Sequence, residues 1–192
     1  DPDEKVFGTD GCALPGMELQ VIDVNGNVCP HGVEGDLKVR GASNFVGYLK
    51  QPQLYGVNAE GWFDTGDRAQ MDADGYIRIT GRSKDIIIRN GENIPVIEVE
   101  GLLYRHPSIH EVALVAMPDA RMGERACAFI SLKPGAKPLT LSDVVAFLSE
   151  YKMAKQYLPE RLEIMPALPR TLTGKIQKFK LRESAKHLKA DS

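Results

Sequence analysis

The sequence lacks the features that mark secreted, membrane-spanning and metal-binding proteins. Its 192 residues include three cysteines, Cys12, Cys29 and Cys127, whose separations match neither a disulfide framework nor a metal-ligand or redox motif. No apolar run approaches the roughly 20 residues that a membrane-spanning helix needs, and no secretory signal opens the chain. An odd number of cysteines without a framework is typical of a reducing compartment, so we expect a cytoplasmic protein.

The chain also lacks a strong excess of either charge. Its net charge is −2, with 26% charged and 43% apolar residues, which is ordinary for a globular protein and indicates no nucleic-acid or anionic-membrane partner. The exception is residues 170–189, which contain seven basic residues and one acidic residue. This stretch has two possible interpretations: a solvated, lysine-rich terminal helix or a patch that attracts phosphate. Because the chain starts at Asp1 without a methionine, we expect it to be a piece of a longer protein.

The first part of the chain predicts short strands separated by turns. The segment MELQVID (17–23) leads into an Asn-Gly-Asn turn, and GDLKVRG (35–41) alternates apolar and charged residues as a half-buried strand does. A DADG turn (72–75) separates the two strands of a further hairpin. Residues 17–80 contain no convincing long helix, so this region is expected to be a β-rich subdomain with a distorted, barrel-like antiparallel sheet.

After Gly81 the pattern changes to alternating helices and strands. The expected helices lie at 95–106, 142–153 and 176–188, and the expected strands at 112–117, 126–132 and 161–165. Thr140 and Asp143 have the spacing of a capping box before the second helix. The fold class is therefore α+β, with residues 1–82 as the β-rich part and 83–192 as a small lid domain whose central sheet is flanked by helices.

Four short segments carry an unusual density of glycine and charge. They are GWFDTGD (61–67), GRSKD (81–85), GENIP (91–95) and PRTLTGK (169–175). In this order and at these separations they resemble the C-terminal part of the acyl-adenylate-forming (AMP-binding) enzymes, a superfamily that includes acyl-CoA synthetases, luciferases and peptide-synthetase adenylation domains. The resemblance covers about residues 16–182. Residues 112–119 and 122–125 are most similar to short- and medium-chain or alicyclic carboxylate–CoA ligases.

The resemblance implies a two-step reaction. A carboxylate attacks the α-phosphate of ATP, with Mg²⁺, to give an acyl-adenylate and pyrophosphate, and the thiol of CoA then displaces AMP. The small C-terminal domain of such enzymes is mobile and turns between the two steps. The phosphate loop, adenine segment and acyl pocket of the family precede the region present here, so we expect this chain to be inactive alone. A non-catalytic or regulatory fragment, a luciferase-like enzyme and a peptide-synthetase adenylating enzyme are the alternatives.

Asp67 and Arg82 are the candidate nucleotide-binding residues. A carboxylate in a tight glycine turn can accept two hydrogen bonds, as a pair of ribose hydroxyls offers, and the resemblance implies that Asp67 holds the ATP ribose. The alternative is a turn residue that closes a hairpin. The family counterpart of Arg82 also contacts the ribose or phosphate, whereas a structural salt bridge to a neighbouring carboxylate is the competing explanation.

Lys84 matches the hinge position of the family, where a residue must change its backbone angles while its side chain stays solvated. An ordinary surface lysine is the alternative. Gly91, with Glu92 and Asn93, matches a loop that faces the active site in the second step. Because glycine lacks a Cβ atom, a narrow thiol arm could pass close to its backbone. A hairpin-turn glycine is the alternative for Gly91, and both roles are compatible.

Lys175 is the candidate catalytic residue. The sequence TGK (173–175) resembles the end of a phosphate-binding P-loop, but the first glycine of that motif would fall at Pro169, and Ile176 replaces its Ser or Thr. The resemblance instead matches Lys175 to the family lysine that bridges the substrate carboxylate and the α-phosphate. Acetylation would remove this charge, so we expect it to stop adenylation.

No metal site is expected on this chain itself. The DADG turn hints at a calcium loop, but alignment of its glycine puts Gln70 and Gly81 where Asp and Glu are required. The histidines have no metal-ligand spacing. The expected substrates are a small carboxylate, ATP and CoA, with no nucleic-acid partner. The sequence gives no oligomeric state and no preference for acyl chain length or ring.

Overall fold

The computed structural model describes residues 2–51 and 55–190 of the chain. It divides into two compact units, Asp1–Lys84 and Asp85–Ser192. The fold class is α+β, as the sequence predicts. In the described ranges, no helix is long and apolar enough to span a membrane.

The first unit is built on an antiparallel sheet. Its elements are helix α1 (Asp3–Gly8) and strands β1 (Met17–Ile22), β2 (Gly35–Gly41), β3 (Phe63–Met71) and β4 (Ile77–Arg82). Among the described residues the strands are paired in the order β1-β2-β3-β4. One face of the sheet buries Val21, Leu37, Ala69 and Ile77.

Turn chemistry positions these strands. The expected hairpin at residues 72–75 joins β3 to β4, and Asp72 accepts hydrogen bonds from the backbone N–H groups of Asp74 and Tyr76, each at 2.9 Å. Helix α1 has no clear signal in the sequence. It is held to this hairpin because the ammonium of Lys5 lies 2.5 Å from Asp72 and 2.8 Å from Asp74.

The second unit contains a mixed sheet with helices on both faces. Its elements are strands β5 (Ile87–Arg89) and β6 (Glu92–Ile94), helix α2 (Val96–Leu103), strands β7 (Ile109–Asp119) and β8 (Gly123–Leu132), helix α3 (Leu141–Glu150), strand β9 (Arg161–Ile164) and helix α4 (Lys178–Ala185). The described strands follow the order β6-β5-β8-β7, and β9 pairs with β8 in parallel.

The two faces of β7 and β8 bury separate clusters. Val112 and Leu114 pack with α2 and α3 on one face, and Ala113 and Val115 pack with α4 on the other. A strand covered on both faces reads as a continuous apolar run instead of an alternating one. This explains the unbroken apolar stretch that the sequence shows at 112–117.

The predicted helices exist, but their ends were placed wrongly. Helix α2 ends at Leu103, and the turn continues to His106 with i to i−3 hydrogen bonds before Pro107. Helix α3 ends at Glu150, and Lys152 follows it with a φ of 60°. Helix α4 starts at Lys178 instead of residue 176. The capping box of Thr140 and Asp143 is confirmed.

Candidate functional site

Asp67 and Arg82 lie opposite each other on β3 and β4. Arg82 Nε is 2.9 Å from Asp67 Oδ1, and Arg82 Nη2 is 3.5 Å from the carbonyl oxygen of Thr65. The alternative explanation of Asp67, a turn residue that closes a hairpin, was wrong, because residue 67 lies inside β3 and pairs with Arg82 of β4. Gly66, with a φ of 72°, makes a bulge in this strand, and Asp64 is the residue that caps the local turn by accepting from the Gly66 N–H.

The Asp67–Arg82 pair is accessible to a ligand. The Arg82 side chain is 62% exposed and that of Asp67 is 33% exposed. An ion pair in this position adds little to the free energy of unfolding. Both side chains keep further hydrogen-bonding capacity, since a carboxylate accepts at two oxygens and a guanidinium has five N–H donors. The pair can therefore present an acceptor and a cationic donor to the same small molecule.

Lys84 lies in a single 3₁₀ turn, Ser83–Asp85, at the boundary between the two units. Its neighbours are each tied to their own unit. In the first unit, the Ser83 hydroxyl donates to Asp36 Oδ1 at 2.8 Å. In the second unit, the guanidinium of Arg182 on α4 donates to the Asp85 carboxylate. Lys84 therefore lies between two residues that each contact their own unit.

Gly91 lies in the two-residue turn between β5 and β6. Asn90 has a φ of 51° and Gly91 a φ of 83°, which is the type I′ geometry favoured in such hairpins. A Cβ atom on Gly91 would meet nothing within 4 Å. Glu92 and Asn93 follow on β6 and are both exposed. The structure brings these three candidate residues together on one open hairpin.

The strand residue next to this turn is anchored within the second unit. Arg89 donates to both oxygens of Glu160, at 3.0 and 3.1 Å, and Arg125 also contacts this carboxylate. A surface cavity of about 360 Å³ opens beside it, lined by Arg89, Lys155, Gln156, Leu158 and Glu160. The hairpin is therefore held by ion pairs at the residue next to its turn, while the turn residues themselves are exposed.

Lys175 is exposed on the turn that joins β9 to α4. The turn is closed by backbone hydrogen bonds from Thr171 N to the Lys175 oxygen at 2.9 Å and from Gly174 N to the Thr171 oxygen at 3.0 Å. Gly174 has a φ of 86°, a backbone conformation that favours glycine. The lysine thus stands on a short loop that is closed by its own backbone hydrogen bonds.

Two residues beside this turn were not predicted from the sequence. Arg170 immediately precedes it, and its partner is Glu111 of β7, whose carboxylate lies 2.6 Å from Arg170 Nε. Glu111 is 6% exposed. One sequence signal could have indicated Glu111: it is a single carboxylate at the start of an apolar run. A charge that is buried in such a strand needs a partner.

Comparison with known proteins identifies the second unit. Residues 98–175 match the model of the AMP-binding enzyme C-terminal domain. The second unit belongs to this domain family. The matched part of the AMP-binding enzyme C-terminal domain starts inside helix α2, contains strands β7 to β9 and helix α3, and ends on Lys175.

Longer matches extend beyond this domain. The chain is 47% identical over 185 residues to the medium-chain fatty-acid–CoA ligase of Escherichia coli (strain K12), which covers 95% of this chain and 33% of the relative. It is 42% identical over 187 residues to pyochelin synthase PchD of Pseudomonas aeruginosa, covering 95% and 34%. The chain therefore spans about a third of the length of these relatives.

Solved structures show the same fold. ATP-bound MatB from Rhodopseudomonas palustris has a TM-score of 0.83 at 33% identity, covering 94% of this chain and 36% of MatB. The o-succinylbenzoate CoA synthetase MenE of Bacillus subtilis, in complex with its acyl-adenylate intermediate, has a TM-score of 0.82 at 26% identity, covering 100% of this chain and 38% of MenE.

Within the part of the chain that the structure describes, no three His, Cys, Asp or Glu side chains are grouped to hold a metal ion.

Proposed function

We propose that this chain is part of an ATP-dependent acid–thiol ligase that converts a carboxylate, ATP and CoA into acyl-CoA, AMP and pyrophosphate through an acyl-adenylate. The observation that carries the proposal is the pairing of Asp67 with Arg82 in a chain that is 47% identical to a medium-chain fatty-acid–CoA ligase. In this proposal residues 1–82 form the β-rich end of the nucleotide-binding domain, and residues 83–192 form the mobile C-terminal domain.

Asp67 and Arg82 would hold the nucleotide. The carboxylate of Asp67 has the acceptor capacity for the two ribose hydroxyls, and the exposed guanidinium of Arg82 would donate to ribose or phosphate oxygen. The existing ion pair keeps both groups on one edge of the β3–β4 hairpin. Nucleotide binding then requires only a local adjustment of two side chains.

Lys175 would act in adenylation. Its ammonium would lie between the substrate carboxylate and the α-phosphate and stabilise the negative charge that develops on the pentacovalent phosphorus. Mg²⁺ would arrive bound to the phosphates of ATP, because the described residues of this chain form no metal-ligand cluster. A bound Mg²⁺ neutralises phosphate charge, while this chain supplies the ammonium.

The open hairpin at Gly91 would serve the second step. With no atom within 4 Å of a Cβ placed on Gly91, the thiol arm of CoA could pass beside the backbone, flanked by Glu92 and Asn93. One domain would carry both Lys175 and this hairpin, and rotation about Lys84 would exchange them between the two steps. The contacts of Ser83 and Asp85 with their own units support Lys84 as the point of rotation.

A reducing, cytoplasmic location fits the cysteines. Cys12 and Cys29 are free thiols in the structure, and the substrates ATP and CoA are abundant in such a compartment. We therefore place the reaction in the cytoplasm.

The experiment is an assay of the complete protein from which the chain comes. Purified protein is mixed with ATP, Mg²⁺, CoA and a panel of short-chain, medium-chain and alicyclic acids, and pyrophosphate release, acyl-adenylate, AMP release, acyl-CoA and emitted light are followed. Formation of AMP and acyl-CoA in equal amounts supports the proposal. Light emission would indicate a luciferase-like enzyme, and absence of pyrophosphate release with every acid would indicate a non-catalytic protein.

A second candidate is transfer of the acyl group to a protein-bound thiol. It is considered because the chain is 42% identical, over 95% of its length, to a synthase, pyochelin synthase PchD, as well as to CoA ligases. The same assay separates the two functions. Acyl-adenylate that forms but gives no product with CoA would point to a protein-bound acceptor thiol.

A further inference from the structure

A buried carboxylate lies under the loop that carries Lys175. Glu111 accepts hydrogen bonds from the Ser131 hydroxyl at 2.8 Å, from the Leu168 N–H at 3.1 Å and from Arg170 Nε at 2.6 Å. Burial raises the pKa of Glu111, but these three donors together hold its pKa below the usual range. The side chain is therefore ionised at neutral pH inside the second unit.

Arg170 connects this carboxylate to the turn. Its Nε and Nη2 contact the same oxygen of Glu111, at 2.6 and 2.5 Å, and its Nη1 donates to the carbonyl oxygen of Gly174. Only the planar fork of a guanidinium can reach two acceptors in this way with fixed geometry. Gly174 directly precedes Lys175, so a continuous chain of hydrogen bonds runs from the sheet to the base of the candidate catalytic residue.

The far side of the loop is also anchored. Gln177 N donates to the Pro169 carbonyl at 2.8 Å, and Lys178 Nζ lies 2.7 Å from Glu100 of α2. The Glu100 side chain is 14% exposed and accepts a further hydrogen bond from the Leu114 N–H. Residues 171–175 are themselves exposed, so their position depends on these anchors and not on apolar packing.

Stability alone gives little reason for such an arrangement. Replacing a buried ion pair by neutral or apolar groups is often neutral or stabilising, because both charges must be desolvated. The Glu111–Arg170 pair instead fixes an exposed loop with one defined geometry. A displacement of about 1 Å at a catalytic group can lower a rate by about 100-fold.

We propose that Arg170 and Glu111 are positioning residues for Lys175, which hold the 171–175 turn on the sheet so that the ammonium is directed at the reacting phosphate. This inference rests on the proposed function, because it takes Lys175 as the adenylation residue. In this role Arg170 and Glu111 act through the turn and not by contact with the substrate.

The test uses the complete enzyme with Arg170→Met and Arg170→Lys. Adenylation is measured by pyrophosphate exchange, and thioester formation is measured separately from supplied acyl-adenylate. Arg170→Met lowers the kcat of adenylation by about 10- to 100-fold, leaves the KM for ATP nearly unchanged and spares the thioester step. Arg170→Lys gives an intermediate loss, because an ammonium keeps the charge but cannot bridge Glu111 and Gly174.

A double variant separates positioning from stability. Arg170→Met alone leaves Glu111 buried and unpaired, whereas Glu111→Gln with Arg170→Met removes both charges and keeps an acceptor for Ser131 and Leu168. The double variant recovers the thermal stability lost in the single variant, but its adenylation rate stays low. Recovery of the adenylation rate together with stability would overturn the proposal.

Two controls complete the experiment. Arg161 of β9 is also an arginine paired with a carboxylate, Glu163 at 2.7 Å, and Arg161→Met leaves the ratio of the two half-reactions unchanged. Lys175→Ala tests the proposed function itself. If Lys175→Ala adenylates normally, both proposals are wrong. If it loses adenylation while the double variant keeps the wild-type rate, only the positioning role is wrong.

Discussion

Glu111 shows how a single residue can be visible in a sequence without revealing its role. It starts an apolar run, and a carboxylate at the edge of a buried strand requires a partner. The partner, Arg170, is 59 residues away, so no local spacing identifies it. The sequence prediction began this strand at residue 112 and left Glu111 outside β7, which starts at Ile109.

Two compatible explanations account for the glycine at position 91. Its φ of 83° in a type I′ turn is sufficient reason for glycine in a hairpin. The open space beside it is the reason to propose that CoA passes there. A substitution that keeps the turn but fills the space can distinguish the two.

We predict that Gly91→Asn impairs only the second half-reaction. Asn tolerates the left-handed conformation, whereas Ala there is strained by about 1–2 kcal/mol. The Asn side chain would occupy the proposed thiol path, so thioester formation falls by about tenfold or more while adenylation is spared. Both half-reactions are measured in the complete enzyme.

Gly135→Asn is the matched control, because Gly135 has a φ of 77° and equally open surroundings in another turn of the same unit. It should leave both half-reactions unchanged. Normal thioester formation by the Gly91→Asn variant would contradict the prediction and would show that Gly91 serves only the hairpin turn.

At the scale of elements, local signals predicted the turns better than the ends of helices and strands. The capping box of Thr140 and Asp143 and the hairpin at residues 72–75 depend on neighbouring residues, and both are present. Helix α4 starts late because Gln177 still donates to Pro169 across the Lys175 turn. The position of Asp67 inside β3 depends on a bulge at Gly66, which looks like an ordinary turn signal in the sequence.

Packing of the turn after α2 against α3 predicts a pH dependence of stability. His106 lies edge-on to Phe147, with ring centroids 4.7 Å apart, and its Nδ1 accepts a hydrogen bond from the Ser108 N–H at 3.1 Å. Burial lowers the pKa of His106 below 6.5; Asp143 opposes this shift and Lys133 adds to it. The unfolded chain therefore binds a proton more readily than the folded chain.

We predict that the free energy of unfolding falls as the pH is lowered. The fall begins near the pKa of His106 in the unfolded chain, about 6.5, and continues through the lower pKa of His106 in the folded chain. Urea unfolding at about pH 7 and about pH 5 measures the difference. His106→Phe, which keeps a ring against Phe147 but cannot titrate, should reduce it. His110→Phe, at an exposed position on β7, is the control. An unchanged pH dependence in His106→Phe would contradict the assignment.

At the scale of the whole molecule, Lys84 is the candidate hinge because the boundary between the two units falls at this residue. Ser83 is bonded to Asp36 in one unit and Asp85 to Arg182 in the other, so Lys84 lies between two anchored residues. The sequence could suggest this position only through resemblance, because an exposed lysine is otherwise ordinary. The contacts that make it a candidate hinge are 47 and 97 residues apart along the chain.

We predict that Lys84→Pro separates the two half-reactions. Proline fixes φ at about −65° and so restricts the rotation that would exchange Lys175 and the Gly91 hairpin. In the complete enzyme one half-reaction falls by about tenfold or more while the other is largely retained. Lys84→Ala removes the side chain but keeps the backbone freedom, so it should support both steps. Equal activity of Lys84→Pro in both steps would contradict a hinge at this position.

The most direct measurement compares the two half-reactions of the complete enzyme carrying Lys175→Ala. Removal of one preorganised cation should lower adenylation by about 10²–10³-fold, while AMP displacement from supplied acyl-adenylate by CoA proceeds at close to the wild-type rate. Wild-type adenylation, or an equal loss in both steps, would contradict the assignment of Lys175 to the adenylation step.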